Sequence, residues 1–241
     1  MPNIRLDKLL ADCGYGTRSQ VKALIKKGKV AVDHKIVTKS EIKINTDINS
    51  VNVDGVGVNY CEYEYFMLNK PAGVVSATKD SQKTVIDLIT QNKRRDLFPV
   101  GRLDKDTEGL LIITNDGHFA NNLLAPGKHV DKIYYAKIMG EVTEETIAKF
   151  KEGVDIGDET PTAPAKLCLK ACGLVNENYE SEIEIVITEG RYHQIKRMFK
   201  AVGMEVVYLK RLAMGTVFLD ETLELGNYRP LTKEEICALK K

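Results

Sequence analysis

The chain has 241 residues, 43% of them apolar, enough for one large folded domain or for two. Its formal charge of +1 conceals an asymmetry: residues 1–44 hold ten lysines and arginines against four carboxylates, a net of +6, leaving −5 for the remainder. A basic head on a mildly acidic body predicts that the head meets a polyanion. The five cysteines are an odd, scattered set without a Cys-x-x-Cys pair, and none stands at zinc spacing from the four histidines, so no metal site is expected. No apolar signal region opens the sequence, and the apolar run around Leu110 to Ile113 is too short to cross a bilayer. The expectation is a reducing, cytoplasmic setting without membrane contact.

Arg5 to Ala11 places Leu6, Leu9 and Leu10 at helical spacing, and Cys13-Gly14-Tyr15-Gly16 breaks that helix. Thr17 is a suitable N-cap for a second helix, Arg18 to Lys27, with Gly28 as its stop. On that helix Arg18, Lys22 and Lys26 recur every fourth residue, a basic stripe beside the apolar one; a solvated face has the same pattern. Lys29 to Val32, a turn at Asp33-His34, and Ile36-Val37 predict a hairpin, and the alternating run from Val51 to Asn59 closes the head. From Tyr65 an apolar strand runs to a turn at Asn69-Lys70-Pro71-Ala72-Gly73. A short amphipathic helix is expected over Thr84 to Ile89, then a polar break from Asn92 to Asp96. Further helices are expected over Phe119 to Leu124 and Thr143 to Glu152. Strands are expected over Tyr134 to Ile138, through Ile183, Ile185 and Ile187, over Val206 to Leu209 and over Thr216 to Leu219. Many strands with few short helices predict an α+β fold on a mainly antiparallel sheet.

Two stretches carry chemistry. Gly101-Arg102-Leu103-Asp104-Lys105-Asp106-Thr107-Glu108-Gly109 runs into the strand Leu110 to Thr114, with glycines at both ends that permit positive φ. Asp104, bracketed by Arg102 and Lys105, is expected to stay ionised. Alternation puts Arg102 and Asp104 on one side, so a purely structural ion pair fits the pattern as well. In Gly190 to Val202, Ile195, Met198, Phe199 and Val202 fall on one helical face and His193, Lys196, Arg197 and Lys200 on the other. Spacing alone does not say whether that polar face meets solvent or a site.

Gly101-Arg102-Leu103-Asp104, followed by Thr107 and Gly109-Leu110-Leu111, resembles the central motif of pseudouridine synthases that act on ribosomal RNA. Phe66-Met67-Leu68-Asn69-Lys70-Pro71-Ala72-Gly73, Lys132-Ile133-Tyr134 and Glu189-Gly190-Arg191-Tyr192-His193-Gln194-Ile195-Lys196-Arg197 look like the family's other landmarks, in the expected order. The Arg5-Leu6-Asp7-Lys8-Leu9-Leu10 opening, two helices and a hairpin resemble the S4 RNA-binding domain, αL-like in fold. The motif versions are most similar to the RsuA type, which modifies one uridine of 16S ribosomal RNA; relatives acting on 23S RNA share the motifs.

The resemblance implies an S4 domain at residues 1–59 and a catalytic domain at residues 60–241. It implies that Asp104 is the catalytic aspartate, paired with Lys196, that Tyr134 stacks on the uracil, and that Arg102 contacts phosphate or aids base flipping. Arg5, Lys8, Arg18, Lys22 and Lys26 are the expected phosphate contacts of the head. Arg191, His193, Gln194 and Arg197 are expected on the RNA face of the body, and Lys70 to Gly73 as a structural turn near the site. The isomerisation is redox-neutral, so no cofactor is expected; the partner is ribosomal RNA or an assembling subunit, and the protein a monomer. Two rivals come from other classes. Asp104-Lys105-Asp106-Thr107 also fits the Asp-x-Asp-x-Thr loop of haloacid-dehalogenase-type phosphatases, but Phe98 to Arg102 is a poor strand to carry it. A non-catalytic S4-type ribosome-assembly factor would predict a degenerate central motif.

Overall fold

The computed structural model describes residues 3–90, 94–175 and 178–240. The chain forms two compact units, Met1–Glu64 with Ile89–Leu97, and Tyr65–Leu88 with Phe98–Lys241. The division thus falls after Glu64 rather than after Asn59, and Ile89–Leu97 joins the first unit. Arg94 supplies the reason. Its guanidinium is buried, donates to the Cys61 carbonyl at 2.8 Å, pairs with Asp12 at 3.2 Å and lies over the Tyr60 ring. The expected polar break begins at Asn92, outside the described residues.

In the first unit the order is β1 (Ile4–Arg5), α1 (Leu6–Asp12), α2 (Arg18–Lys26), β2 (Val30–Val32), β3 (Lys35–Ile36), β4 (Lys43–Ile44), β5 (Val51–Val53) and β6 (Val56–Gly57). The helical spacing works as expected: Leu6, Leu9, Leu10, Val21 and Ile25 are buried against Val30, Ile44, Val51 and Val53. Thr17 caps α2 in a reciprocal box, its hydroxyl accepting from the Gln20 N–H while Gln20 Oε1 accepts from the Thr17 N–H at 2.8 Å. Strands order as β3-β2-β5-β6, with β1 and β4 paired apart. Asp33 and His34 take φ of 49° and 65°, which suits the tight β2–β3 hairpin.

The second unit continues with β7 (Tyr65–Lys70), β8 (Phe98–Pro99), β9 (Glu108–Thr114), α3 (Gly117–Leu124), β10 (Lys132–Met139), α4 (Glu144–Glu152) and β11 (Lys166–Val175). There follow β12 (Asn178–Ile187), α5 (Gln194–Ala201), β13 (Glu205–Met214), β14 (Val217–Phe218), β15 (Tyr228–Pro230) and α6 (Lys233–Leu239). One sheet runs β11-β12-β10-β13-β9-β7-β15, with β14 on β13 and β8 on β9. Among these strands every pairing is antiparallel except β9 with β13. The fold is α+β on a mainly antiparallel mixed sheet. The helix expected over Thr84 to Ile89 is a single 3-10 turn, Ile86–Leu88.

The parallel crossing depends on one glycine. Glu108 and Gly109 register with Lys210 and Arg211, and a Cβ at Gly109 would lie 2.2 Å from the Arg211 carbonyl oxygen. With φ at 98° as well, only glycine fits there. Arg211, buried, donates through Nε to the Leu110 carbonyl at 2.7 Å and ties the crossing from the other side.

Candidate active site

β7 is buried from Phe66 onward and ends in a lysine. An ammonium taken wholly out of water needs partners. Lys70 Nζ finds four carbonyls, those of Pro71 at 3.1 Å, Asp104 at 3.0 Å, Lys105 at 3.2 Å and Thr107 at 2.8 Å. Burial pulls its pKa down to about 8, against the attraction of Asp106, Asp104 and Glu108. The residues after β7 complete a cradle. Gly73 N–H donates to the Lys105 carbonyl at 2.8 Å, and the Ser76 hydroxyl donates to the Leu103 carbonyl at 2.8 Å while accepting from its N–H at 3.1 Å. Gly101 enters this loop with φ 75°, and Thr107 N–H closes a turn on the Asp104 carbonyl at 3.1 Å. The backbone of the Asp104 loop is therefore fixed from beneath, while the Asp104 side chain stays one-quarter exposed.

α5 approaches from the other side. Ile195, Met198 and Phe199 are buried, with Phe199 against Phe150 of α4 at 4.8 Å between ring centroids, and this anchoring turns Lys196 toward the loop. Lys196 Nζ lies 3.3 Å from Asp104 Oδ2, and it contacts both oxygens of Asp106 more closely, at 2.6 and 2.8 Å. Partial burial pulls the Lys196 pKa down, but the two carboxylates outweigh it and the ammonium titrates above the ordinary lysine range. His193, in the left-handed region with φ 48°, brings Nε2 to 3.5 Å from Asp104 Oδ1. The structure brings Asp104 and Lys196 together, and adds Asp106 as a carboxylate that sequence reading left without a role.

Tyr134 on β10 stands opposite Arg211 of β13 and is buried. With Asp104, Thr107, Ile187, Ile195 and Leu209 it lines a cavity of about 70 Å³, and Arg102 lies exposed at the cavity's edge. Arg102 and Asp104 both line the cavity, and no ion pair joins them among the described residues. A larger groove of about 680 Å³ shares Arg102, Asp104 and His193 with this cavity. A carboxylate in a small cavity of mixed lining, beside a cation and a buried tyrosine, suits attack on, or proton removal from, the sugar of a nucleotide whose base enters the cavity.

Several expected RNA contacts are otherwise engaged. Gln194 is buried, accepting from Arg191 N–H at 2.9 Å and donating to Glu189 at 2.9 Å, so the expectation that it faces RNA is corrected. Arg191 holds the carbonyls of Thr160 at 2.6 Å and Pro161 at 2.8 Å, and Arg197 holds the Ile156 carbonyl at 2.6 Å and the Asp158 carboxylate. These two arginines brace the segment before β11. In the head, Lys8, Arg18, Lys22 and Lys26 are exposed, whereas Arg5 forks onto the buried Asp7 at 3.0 and 2.8 Å. Ser76 is a residue sequence reading missed, and Lys70, expected only as part of a turn near the site, proves to hold the loop by its ammonium. The one signal was a lysine ending an otherwise apolar strand. No group of three or more His, Cys, Asp or Glu that could hold a metal ion lies among the described residues. No helix among them is long and apolar enough to cross a membrane.

The loop does not follow a parallel strand, as a phosphatase nucleophile loop would, because β8 is two residues long and antiparallel to β9. Comparison with known proteins agrees. Residues 64–201 match the RNA pseudouridylate synthase family and residues 4–47 match the S4 domain. An uncharacterised RNA pseudouridine synthase of Bacillus subtilis, YtzG, is 49% identical, with 98% of each chain covered. Ribosomal large subunit pseudouridine synthase B of the same organism is 41% identical over 98% of this chain and 95% of its own length. Ribosomal small subunit pseudouridine synthase A of Haemophilus influenzae is 38% identical over 99% of this chain and 100% of its own. A crystal structure of a pseudouridylate synthase superposes with a TM-score of 0.66 at 36% identity, covering 98% of this chain and 99% of the other. The chain thus belongs to the RNA pseudouridylate synthase family, an RNA pseudouridine synthase preceded by an S4 domain.

Proposed function

We propose that this enzyme converts one uridine of ribosomal RNA to pseudouridine, that the RNA is that of the small subunit, and that Asp104 is the essential group. The observation that carries the reading is the Asp104 carboxylate at the cavity, 3.3 Å from Lys196 and lined on another side by Tyr134. The N1–C1′ bond of the uridine breaks, the freed uracil turns, and C5 joins C1′. Asp104 serves either as nucleophile at C1′, in the manner of a retaining glycosidase, or as the base that takes the C2′ proton to give a glycal. Lys196 stabilises the carboxylate in both routes, and Tyr134 offers its ring to the uracil once the base has left its stack. Arg102, exposed at the cavity's edge, is suited to a phosphate of the flipped nucleotide.

The exposed Lys8, Arg18, Lys22 and Lys26 support RNA binding by the head, through phosphates and hence with strong salt dependence. We assign residues before Glu64 to this role, the rest of the chemistry to the second unit, and a monomer working in the cytoplasm on ribosomal RNA or an assembling subunit. The 38% identity to a small-subunit enzyme over 99% of this chain, with the motif versions most similar to the RsuA type, supports the 16S reading. The 41% identity to a large-subunit enzyme favours 23S RNA as the second reading.

One experiment tests all of this. Ribosomal RNA from cells lacking the protein, rescued with wild type or with Asp104→Asn, is labelled with carbodiimide and read by reverse-transcription stops. A single stop restored by wild type and not by the variant is expected in 16S RNA. A stop in 23S RNA selects the second reading, a stop restored by the variant refutes the role of Asp104, and no stop in either RNA refutes the substrate.

A further inference from the structure

The catalytic chemistry uses the small cavity and leaves the larger groove beside it without a role. That groove holds two side chains whose states call for a ligand. Tyr192 is 76% exposed, a high value for an aromatic side chain, and yet its ring is held: it stacks on His193 with 3.9 Å between centroids and 15° between planes. His193 is in turn 3.5 Å from Asp104, so the stacked pair forms a ledge fixed at a known distance from the reacting carboxylate.

Lys132 lies in the same groove and is 7% exposed. Its Nζ donates to the carbonyls of Val130 at 2.8 Å and Thr188 at 3.2 Å. An ammonium has three donors, and among the described residues no carboxylate pairs with this one. The acidic residue of the groove nearest in sequence to the ledge, Glu189, is already committed to Arg191, Gln194 and the Ala163 N–H. The groove therefore presents one buried cation with a spare donor and one rigid aromatic face, the pair of features that single-stranded nucleic acid sites combine.

We propose that this groove is a second nucleotide subsite, in which the base adjoining the target uridine stacks on Tyr192 and its phosphate meets Lys132. Its volume of about 680 Å³ is that of a site for a mid-sized ligand. A uridine flipped into the small cavity leaves its neighbour unstacked on one side, and the ledge supplies the lost surface. Stacking is tolerant of base identity but grows with ring area, so a purine is preferred at that position. The subsite would thus select among flipped uridines without reading the target base itself. The inference rests on the ribosomal RNA reading given above.

The test uses the full-length protein and a synthetic RNA spanning the mapped uridine. Tyr192→Ala is expected to raise KM about tenfold or more, the cost of one lost base–aromatic stack, with the loss in KM rather than kcat, and Tyr192→Phe is expected to keep the wild-type value. An abasic substitution at one flanking position should abolish the difference between wild type and Tyr192→Ala, and a methylphosphonate at that same nucleotide should weaken wild-type binding. A Tyr192→Ala penalty that is the same for every abasic position, or no penalty at all, overturns the proposal. A flanking methylphosphonate without effect overturns the part played by Lys132. An RNA that wild type does not modify indicts the substrate reading instead, which keeps the two failures distinct.

Discussion

Lys70→Met probes the cradle under the Asp104 loop. Methionine keeps an unbranched chain of similar length and removes the ammonium that gathers the carbonyls of Pro71, Asp104, Lys105 and Thr107. An ammonium has three donors, one of them here shared between two carbonyls, and three charge-assisted hydrogen bonds at about 1.5 kcal/mol each amount to about 4.5 kcal/mol. Against this, lysine burial has a cost that the variant escapes. A fall in pKa from 10.5 to about 8 corresponds to about 3 kcal/mol. The variant is therefore expected to lose about 1.5 kcal/mol at pH 7, a Tm drop of roughly 3–6 °C for a unit of this size. Activity should fall further than stability does, because the released segment carries Asp104.

The pH dependence has a definite sign. Below about pH 8 the ammonium is charged in both folded and unfolded chains, and its burial cost is complete. Between about 8 and 10.5 the unfolded chain binds more protons, so this lysine's contribution to stability rises with pH. The stability gap between wild type and Lys70→Met should widen across that window, as followed by urea unfolding at a series of pH values. A variant with wild-type Tm, or a gap that narrows as pH rises, refutes the reasoning.

Gly109→Ala places a methyl group 2.2 Å from the Arg211 carbonyl at a φ of 98°, so a loss of about 3 kcal/mol or more is expected, read by urea unfolding. Lys22→Glu with Lys26→Glu should weaken binding of ribosomal RNA and lower the salt slope of log K by about two, measured by filter binding over a range of salt, while bound RNA is still isomerised. If the charge reversals change nothing across salt concentrations, the head does not hold the RNA.

The head was legible because its signals are local. Leucine spacing, the Thr17 cap and the Asp33-His34 turn each act within a few residues, and each appears where expected. The catalytic motif was legible for a different reason, since Gly101 and Gly109 both adopt the positive φ that their motif requires. β11 was missed because nearly all of it is exposed on both faces, which erases the alternation that marks a half-buried strand. Gln194 was expected, with His193, to organise the start of α5 and the RNA face; it does the first, accepting from Arg191 N–H, while its bond to Glu189 and its burial take it away from the second. Asp106 carried no signal at all, since its bond to Lys196 joins residues ninety apart in the chain.

The loop that carries Asp104 and Asp106 leads into the parallel pairing of β9 with β13. The Asp104 loop leads into β9 and α5 leads into β13, so each feeds the N-terminal end of its strand. The two strands run the same way, and the start of β9 lies beside Lys210 and Arg211, in the middle of β13 rather than at its start. The register of Glu108 on Lys210 and Gly109 on Arg211 leaves Glu205 to Leu209 of β13 between α5 and the crossing, and Lys196 reaches both carboxylates from α5. In a sheet otherwise built from antiparallel neighbours, the one exception adjoins the loop that carries Asp104, and the glycine that permits it belongs to the same short motif as the aspartate.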